Sequence, residues 1–582
     1  MRKSRPVRGF LATFLAFALF PISPAHGEVW RPTLLPDGSA QMVVTLDDGL
    51  GFSGAASQIV KTVPYGLNGE RSGYGSECES FGLPGCNFTG AEVGYASLIL
   101  PICEAASDIF CLEDFRIGPN QNSLESGILQ TPVSGHRVPA SQELGTPAGD
   151  LPHHFLSEHL NGAGVGNYVV SPRVIFDLRD GKATPIDLQL SVHAINLESR
   201  SGKTPVFFGV RSPTKGPAVE GNVDVQCRIV DTDICGQIVD FTSNTVIKVS
   251  VRASNQLQGW LKGRLTNPVI SSSSNGSRGQ VFTIQGEPVT VPKFEVTLDK
   301  DDPLIVDGDG LSGVTSGSGS YSAFRADSAY GVKFVSELAE LAGDKAGGSE
   351  SVWYVSTAST EAGLLRECTE NAGDFVGIVT TNAMAFDGGV PAFSGGFLSY
   401  NLAGTHYLSD GKTLSRGSYD LAIRSDVARC LYGYSRAPIS ATISVLGESG
   451  QESVAVTQVS EKGGWLTLNA SNFTFSEKEI KVRLSQSQVR TLSDHPGRAT
   501  ALTPKQKSEI RAVLAKGKGN TKFICTGIRL EGQSASMNRA VRLRAKLACE
   551  YAKSLDPKLS TFYQSKVTKA RSYNGRVLVV SK

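Results

Sequence analysis

The chain has 582 residues, 40 % of them hydrophobic, with 63 glycines and a formal net charge of +2. That composition excludes a disordered chain and leaves room for about three to five domains of ~100–200 residues each. It reads as globular, loop-rich and mainly β.

Four basic residues, Arg2, Lys3, Arg5 and Arg8, precede an apolar run over residues 10–22 that is short for a bilayer span. Ala25 and Gly27 are small residues at positions −3 and −1 of a cleavage site after Gly27. The pattern predicts a secretory signal peptide over residues 1–27, with an uncleaved N-terminal anchor as the alternative. No cysteine follows the apolar run, so no lipid anchor is expected. No later stretch reaches the ~18 apolar residues of a membrane helix, so the mature chain is expected to lack a transmembrane segment.

Export permits disulfides, and ten cysteines follow the leader. Cys78/Cys86, Cys103/Cys111 and Cys227/Cys235 share a C-x7-C spacing, which suits a small loop pinned between strands. With Cys368/Cys430 and Cys525/Cys549 they make five sequential pairs. Spacing leaves Cys86–Cys103 open as an alternative. No C-x-x-C is present, so zinc ribbons and thioredoxin-like sites are not supported.

Residues 28–290 are expected to form β-rich structure. PIDLQLSVHAI (185–195) and TVIKVSVRAS (245–254) alternate apolar and polar residues, as half-buried strands do. Asp180-Gly181 and Asn275-Gly276 are turn signals, and SSSSNGSRG (271–279) is a flexible loop by composition. HHFLSEHL (153–160) is the one histidine cluster. Its spacing matches neither H-E-x-x-H nor H-x-x-E-H, in which ligands and base share a helical face. A metal on His153, Glu158 and His159 is therefore the lesser reading, beside a surface helix or loop. GAGVG (162–166) lacks the strand–helix setting of a phosphate loop.

Residues 291–487 are expected to be β-rich with one or two helices. SAYGVKFVSELAELAG (328–343) sets Val332, Val335, Leu338 and Leu341 at helical spacing. SVWYVST (351–357) and PISATISVLG (438–447) read as strands. DKDDPLIVDGDG (299–310) is a fragment of a calcium loop without the full ligand pattern, and an acidic turn is the stronger reading. V-x-V before G-W-L occurs in both regions, with Val251–Trp260 spaced like Val456–Trp465. VTLDDG at Val44 echoes VTLDKDD at Val296. Either the two regions are copies of one plan or they are unrelated β-domains with similar hairpins. Four tryptophans in all argue against an aromatic carbohydrate platform.

The tail, residues 488–582, differs in kind. From Arg490 to Lys582 the net charge is +15, whereas residues 28–489 carry −17. Fold does not require such asymmetry; it bears on what the domain meets. LTPKQKSEIRAVLAKG (502–517) reads as a helix capped by Thr503, TKFICTG (521–527) as a strand and RSYNGRVLVVSK (571–582) as a closing strand. Between them a helix capped by Ser536 runs to about Leu555, ahead of Asp556-Pro557. At ~100° per residue Arg539, Arg542, Lys546 and Lys553 share one face, opposite Val541, Ala545, Ala548 and Ala552. Arg544 falls at the edge of the buried face, where a guanidinium needs a defined partner. Cys525 and Cys549 are placed to staple strand to helix.

Thr526-Gly527, Arg544-Ala545 and Asn574-Gly575-Arg576-Val577 stand in the order and spacing of the OmpA-like C-terminal domain, which this unit resembles. The likeness covers about residues 500–582. The remainder resembles uncharacterised secreted proteins of actinobacteria. The resemblance implies an α/β module that associates with peptidoglycan. In the family an Asp on the first strand and the Arg of the R-A pair grip diaminopimelate. The arginine corresponds to Arg544, and the acid's position falls at Arg529, with Glu531 two residues on. Arg529, Arg539, Arg542 and Arg544 together fit carboxylates or phosphates, which arginine holds through paired hydrogen bonds.

The expected architecture is thus two disulfide-pinned, β-sandwich-like regions and a small α/β tail. The expected function is a non-enzymatic, secreted protein of the cell wall or surface. Its expected partner is peptidoglycan or an anionic wall polymer, with another surface protein or glycan as a further one. No nucleic acid and no cofactor are expected. The alternatives are a secreted hydrolase with a wall-targeting tail, a surface adhesin, and a basic face that docks on the acidic body of its own chain.

Overall fold

The computed structural model describes residues 41–47, 57–65, 70–83, 85–88, 93–130, 137–199, 227–231, 234–275, 279–299, 321–358, 368, 375–394, 397–432, 439–447, 452–454, 456–475, 477–486, 488–495, 499–517, 522–569 and 575–581. The leader, the acidic segment from residue 300 to 310, and Asn574 of the closing motif lie outside the described residues. The fold is mainly β, with a smaller α/β unit at the C-terminus.

Asp180-Gly181 makes the turn its composition predicts. Both residues take positive φ, 51° and 67°, the mirror-image turn whose twist matches that of its flanking strands. It joins Asn167–Arg179 to Lys182–Ser199, with Lys182 opposite Arg179. Alternation then sends Leu188, Leu190, Val192 and Ala194 into one core with Val170, Val174, Phe176 and Leu178. Lys182–Ser199 pairs on its other side with Gly348–Thr357. The sheet continues through Gly259–Arg264, Phe375–Thr381, Arg416–Arg424 and Trp465–Thr474. Strands from both sides of residue 290 share this sheet, so residue 290 does not separate two independent sheets.

A five-stranded sheet contributes Phe115, Ile117, Ile247, Val249, Phe282 and Ile284 to the same core, which makes the arrangement a sandwich. A second core joins Leu398, Tyr400, Leu402, Ile480 and Val482 of a six-stranded sheet to Tyr419, Leu421, Leu466 and Leu468 of the large one.

Four local expectations change. The serines of 271–274 are not a loop: they lie in the strand Thr266–Asn275, paired with Gly279–Glu287, while Gly276 of the expected Asn275-Gly276 turn lies outside the described residues. That strand is a sheet edge, and its exposed serines carry no apolar signal. The helix at 328–343 is shorter, Ala329–Leu338, capped by the Ser328 hydroxyl; Leu341 lies beyond it and is exposed. The V-x-V and G-W-L stretches are built differently. Val456–Lys462 forms a hairpin with Trp465–Thr474, whereas Val246–Ser254 and Gly259–Arg264 enter different sheets. The echoing VTLD segments pair with each other, Val44 opposite Val296.

Cys78–Cys86, Cys103–Cys111, Cys368–Cys430 and Cys525–Cys549 are disulfides, as the sequential pairing predicts. Cys235 is also disulfide-bonded; the side chain of Cys227, on the neighbouring hairpin strand, lies outside the described residues. Disulfides of this number fit an oxidising, extracellular setting. Among the described residues no helix is long and apolar enough to cross a membrane.

The C-terminal unit is a four-stranded sheet in the order Gln488–Thr491, Val577–Ser581, Lys522–Leu530, Ser560–Thr568. The two helices, Pro504–Lys516 and Ala535–Leu555, pack on one face. Ile510, Val513, Ala545, Ala548 and Ala552 meet Phe523, Val577 and Val579 there. Thr503 and Gln506 close a reciprocal capping box. The Ser560–Thr568 strand, parallel to Lys522–Leu530, was not among the expected elements.

Candidate functional site

The long helix begins two residues earlier in the serine run than its sequence suggests. Ser534, not Ser536, is the N-cap: its hydroxyl accepts from the Met537 N–H, while Ser536 sits in the first turn. From there the 100° periodicity holds. Arg539, Arg542, Lys546 and Lys553 are exposed, and Val541, Ala545, Ala548, Cys549 and Ala552 are buried. Helix and strand approach closely at Gly527, where a Cβ would stand 2.6 Å from the Val541 carbonyl oxygen.

Arg544 does not share the solvent-facing surface of Arg539 and Arg542. It is 2 % exposed. Its Nε donates to the Ala499 carbonyl at 2.8 Å and its Nη1 to the Gly575 carbonyl at 2.8 Å. The partner it needs is the backbone of two separate segments. Gly575 has φ of +76°, and a Cβ there would lie 3.0 Å from Nη1, so the turn and the guanidinium are fitted to each other. His495 lies nearby, its Nδ1 on the Gln506 amide at 3.0 Å. Burial, with Arg544 adding to it, pulls the imidazole down to about 4. Asp494 holds Arg576 through two hydrogen bonds, at 2.6 and 3.1 Å. Glu509 accepts from the Ser493 N–H and hydroxyl and from Arg490. These pairings fix the entry segment 490–495 against the domain.

Arg529 is placed otherwise. It lies near the end of Lys522–Leu530, on the strand face that Cys525 and Gly527 turn toward the helix. It is half-buried, and its Nε is shielded from water without a hydrogen-bond partner. Asn538, in the first turns of the helix, likewise has a shielded Oδ1 without a partner. The first turn of that helix contains no acidic residue. A helix N-terminus carries the positive end of the backbone dipole. Arg539, just past the first turn of the helix, adds a cation near this end, with Arg542 a turn further along. Glu531 is an exposed carboxylate just beyond the strand.

The first half of the histidine segment, His153–Leu156, is a largely buried strand rather than a helix or surface loop; residues 157–160 are the loop that follows it, with Glu158 and Leu160 exposed. Successive strand residues face opposite ways, which separates the side chains. His153 Nε2 meets the Leu100 carbonyl at 2.7 Å, His154 Nε2 the Asn167 side chain at 2.9 Å, and His159 Nε2 the Thr245 hydroxyl at 2.9 Å. Burial lowers all three from the ordinary imidazole range. Among the described residues no three His, Cys, Asp or Glu side chains converge on a metal position.

Buried charges elsewhere gave no sequence signal: Lys262 and Arg264 sit in the short strand Gly259–Arg264, Asp420 within Arg416–Arg424, and Asp327 between a strand and a helix. Lys262 Nζ and Asp327 Oδ2 form a buried ion pair at 2.7 Å. Arg264 donates to the carbonyls of Thr381, Ala383 and Met384 and lies over the Phe386 ring. Asp420 accepts from the Thr266 hydroxyl at 3.0 Å and the Asn469 amide at 2.6 Å. Burial pushes its carboxyl up to about 6.

No protein-family model matches the chain, and no curated protein matches it.

Proposed function

We propose that the chain is an exported, non-enzymatic protein of the cell envelope, held to peptidoglycan or an anionic wall polymer by an OmpA-like domain over residues 488–582. One observation carries the reading. Arg539 and Arg542 are exposed in the first half of the Ala535–Leu555 helix, whose first turn supplies no acid, and Arg529 lies half-buried near the end of the adjoining strand. Such a pole attracts carboxylates and phosphates, and arginine can bind either through a forked pair of hydrogen bonds. Arg544, which the resemblance pairs with the ligand, serves here by tying residues 499 and 575 to the helix. It shapes the pole and leaves the outward charge to the other three. An arginine where the family has its acid favours an anion over a zwitterion.

The test is sedimentation of the full chain with isolated cell walls across a salt series, with walls stripped of anionic polymer alongside. Arg529→Ala and the pair Arg539→Glu, Arg542→Glu are compared with wild type. Binding that survives moderate salt and is lost in Arg529→Ala supports a specific anchor. Binding that fades in salt equally for wild type and Arg529→Ala reduces the pole to diffuse attraction. Absence of binding at low salt removes the anchoring reading.

A further inference from the structure

Two uncovered apolar surfaces of this chain carry opposite charge. The first is the Ser560–Thr568 strand. It ends its sheet, pairing with Lys522–Leu530 on one side and with no described strand on the other. Phe562 is 60 % exposed, and Tyr563 and Val567 are exposed with it. Lys558, Lys566 and Lys569 are exposed along or beside it, and Lys522 stands opposite Ser560. No Asp or Glu lies between Lys558 and Lys569.

The second surface lies on the large sheet. The short strand Ile128–Leu129 ends a branch of that sheet and pairs only with His153–Leu156, so that Ile128 faces Leu156 across the pair. Ile128 is 66 % exposed, and Leu129, Leu156 and Leu160 are exposed too. Glu125 and Glu158 are exposed beside them. Neither residues 120–130 nor residues 153–166 contain Lys or Arg. Burial keeps the neighbouring His153, His154 and His159 disposed to the neutral form.

A free strand edge offers unpaired backbone groups, and exposed large apolar side chains on it mark a docking surface. Complementary charge around apolar centres fixes which surface meets which. Among the described residues no segment covers either surface. We propose that the lysine-flanked Ser560–Thr568 edge of one copy docks on the glutamate-flanked Ile128/Leu156 surface of a second copy. The contact joins two different patches, so it propagates head to tail into chains or rings unless both contacts form reciprocally between the same two copies. The inference is independent of wall binding.

Sedimentation velocity and light scattering on the full chain, over a concentration series at low and high salt, test it. Wild type should reach at least twice the monomer mass at low salt and lose that association as salt rises. Phe562→Asp and Ile128→Asp should each be monomeric. Mixed in equal amounts they should give a dimer and nothing larger, because one intact contact remains. Lys566→Glu and Glu158→Lys should each weaken assembly, and the two combined in one chain should restore it. All four positions are exposed, and unchanged melting of each variant checks that the fold is kept. A wild type that is monomeric throughout, association indifferent to these variants, or a mixture that stays monomeric would each overturn the proposal.

Discussion

Replacing Arg544 separates a structural role from a ligand-binding one. The guanidinium is buried and makes two hydrogen bonds to main-chain carbonyls, of Ala499 and Gly575. A hydrogen bond from a charged donor contributes about 1.5–3 kcal/mol net, and a buried acceptor left bare costs more. Arg544→Ala removes both bonds and should destabilise the C-terminal domain by about 3–5 kcal/mol. Arg544→Lys keeps the charge but cannot fork to two separate segments, and should lose about half of that. Urea unfolding of the full chain, with hydrogen exchange read over residues 522–581, measures the loss where it falls. Arg529→Ala should leave exchange over the same residues nearly unchanged. If Arg544→Ala keeps native protection there yet abolishes wall binding, the arginine meets the ligand directly and the structural argument fails.

Two further predictions concern stability. Asp420 has a folded value of about 6 against an ordinary 3.8, so the folded state binds the extra proton between those values. Its contribution is full below about pH 4 and is lost as pH rises through 6, a fall of up to ~3 kcal/mol at ~1.4 kcal/mol per unit. Asp420→Asn should flatten that step in a pH series of unfolding midpoints; an unchanged pH profile counts against a raised Asp420. Cys525→Ser with Cys549→Ser opens a loop of 24 residues, which loop-closure entropy values at about 3.5 kcal/mol. Denaturant midpoints in oxidised and doubly substituted protein measure it, and equal midpoints would show the staple to be idle.

What was legible in the sequence is what local chemistry decides. Alternation reported the strands that bury one face, such as 185–195, and the Asp180-Gly181 pair reported a turn because both residues tolerate the positive φ it requires. Helical spacing identified Arg539, Arg542, Lys546 and Lys553 as exposed and Arg544 as needing a partner. That the partners are carbonyls 45 and 31 residues away is a tertiary fact with no local trace. Ser560–Thr568 was invisible because it is an edge strand exposed almost throughout, so its two faces do not differ in polarity. The histidine strand was misread because buried imidazoles satisfied by Leu100 and Asn167 look, in sequence, like a surface cluster. The shared large sheet joins strands far apart in the chain, and periodicity does not report pairing.

The Cys525–Cys549 staple also has a mechanical meaning. Tension from the β-rich body would enter the tail at Gln488, the outer end of an antiparallel pair with Ser581. Load applied there peels that strand one hydrogen bond at a time, the compliant geometry for a sheet. The staple then caps how far the domain can be drawn out. It withholds 24 residues from the stretched contour, about 80 Å of slack at ~3.4 Å per residue. A reducing environment would release that length, so on the anchoring proposal the redox state around the protein would set how far the tail can extend.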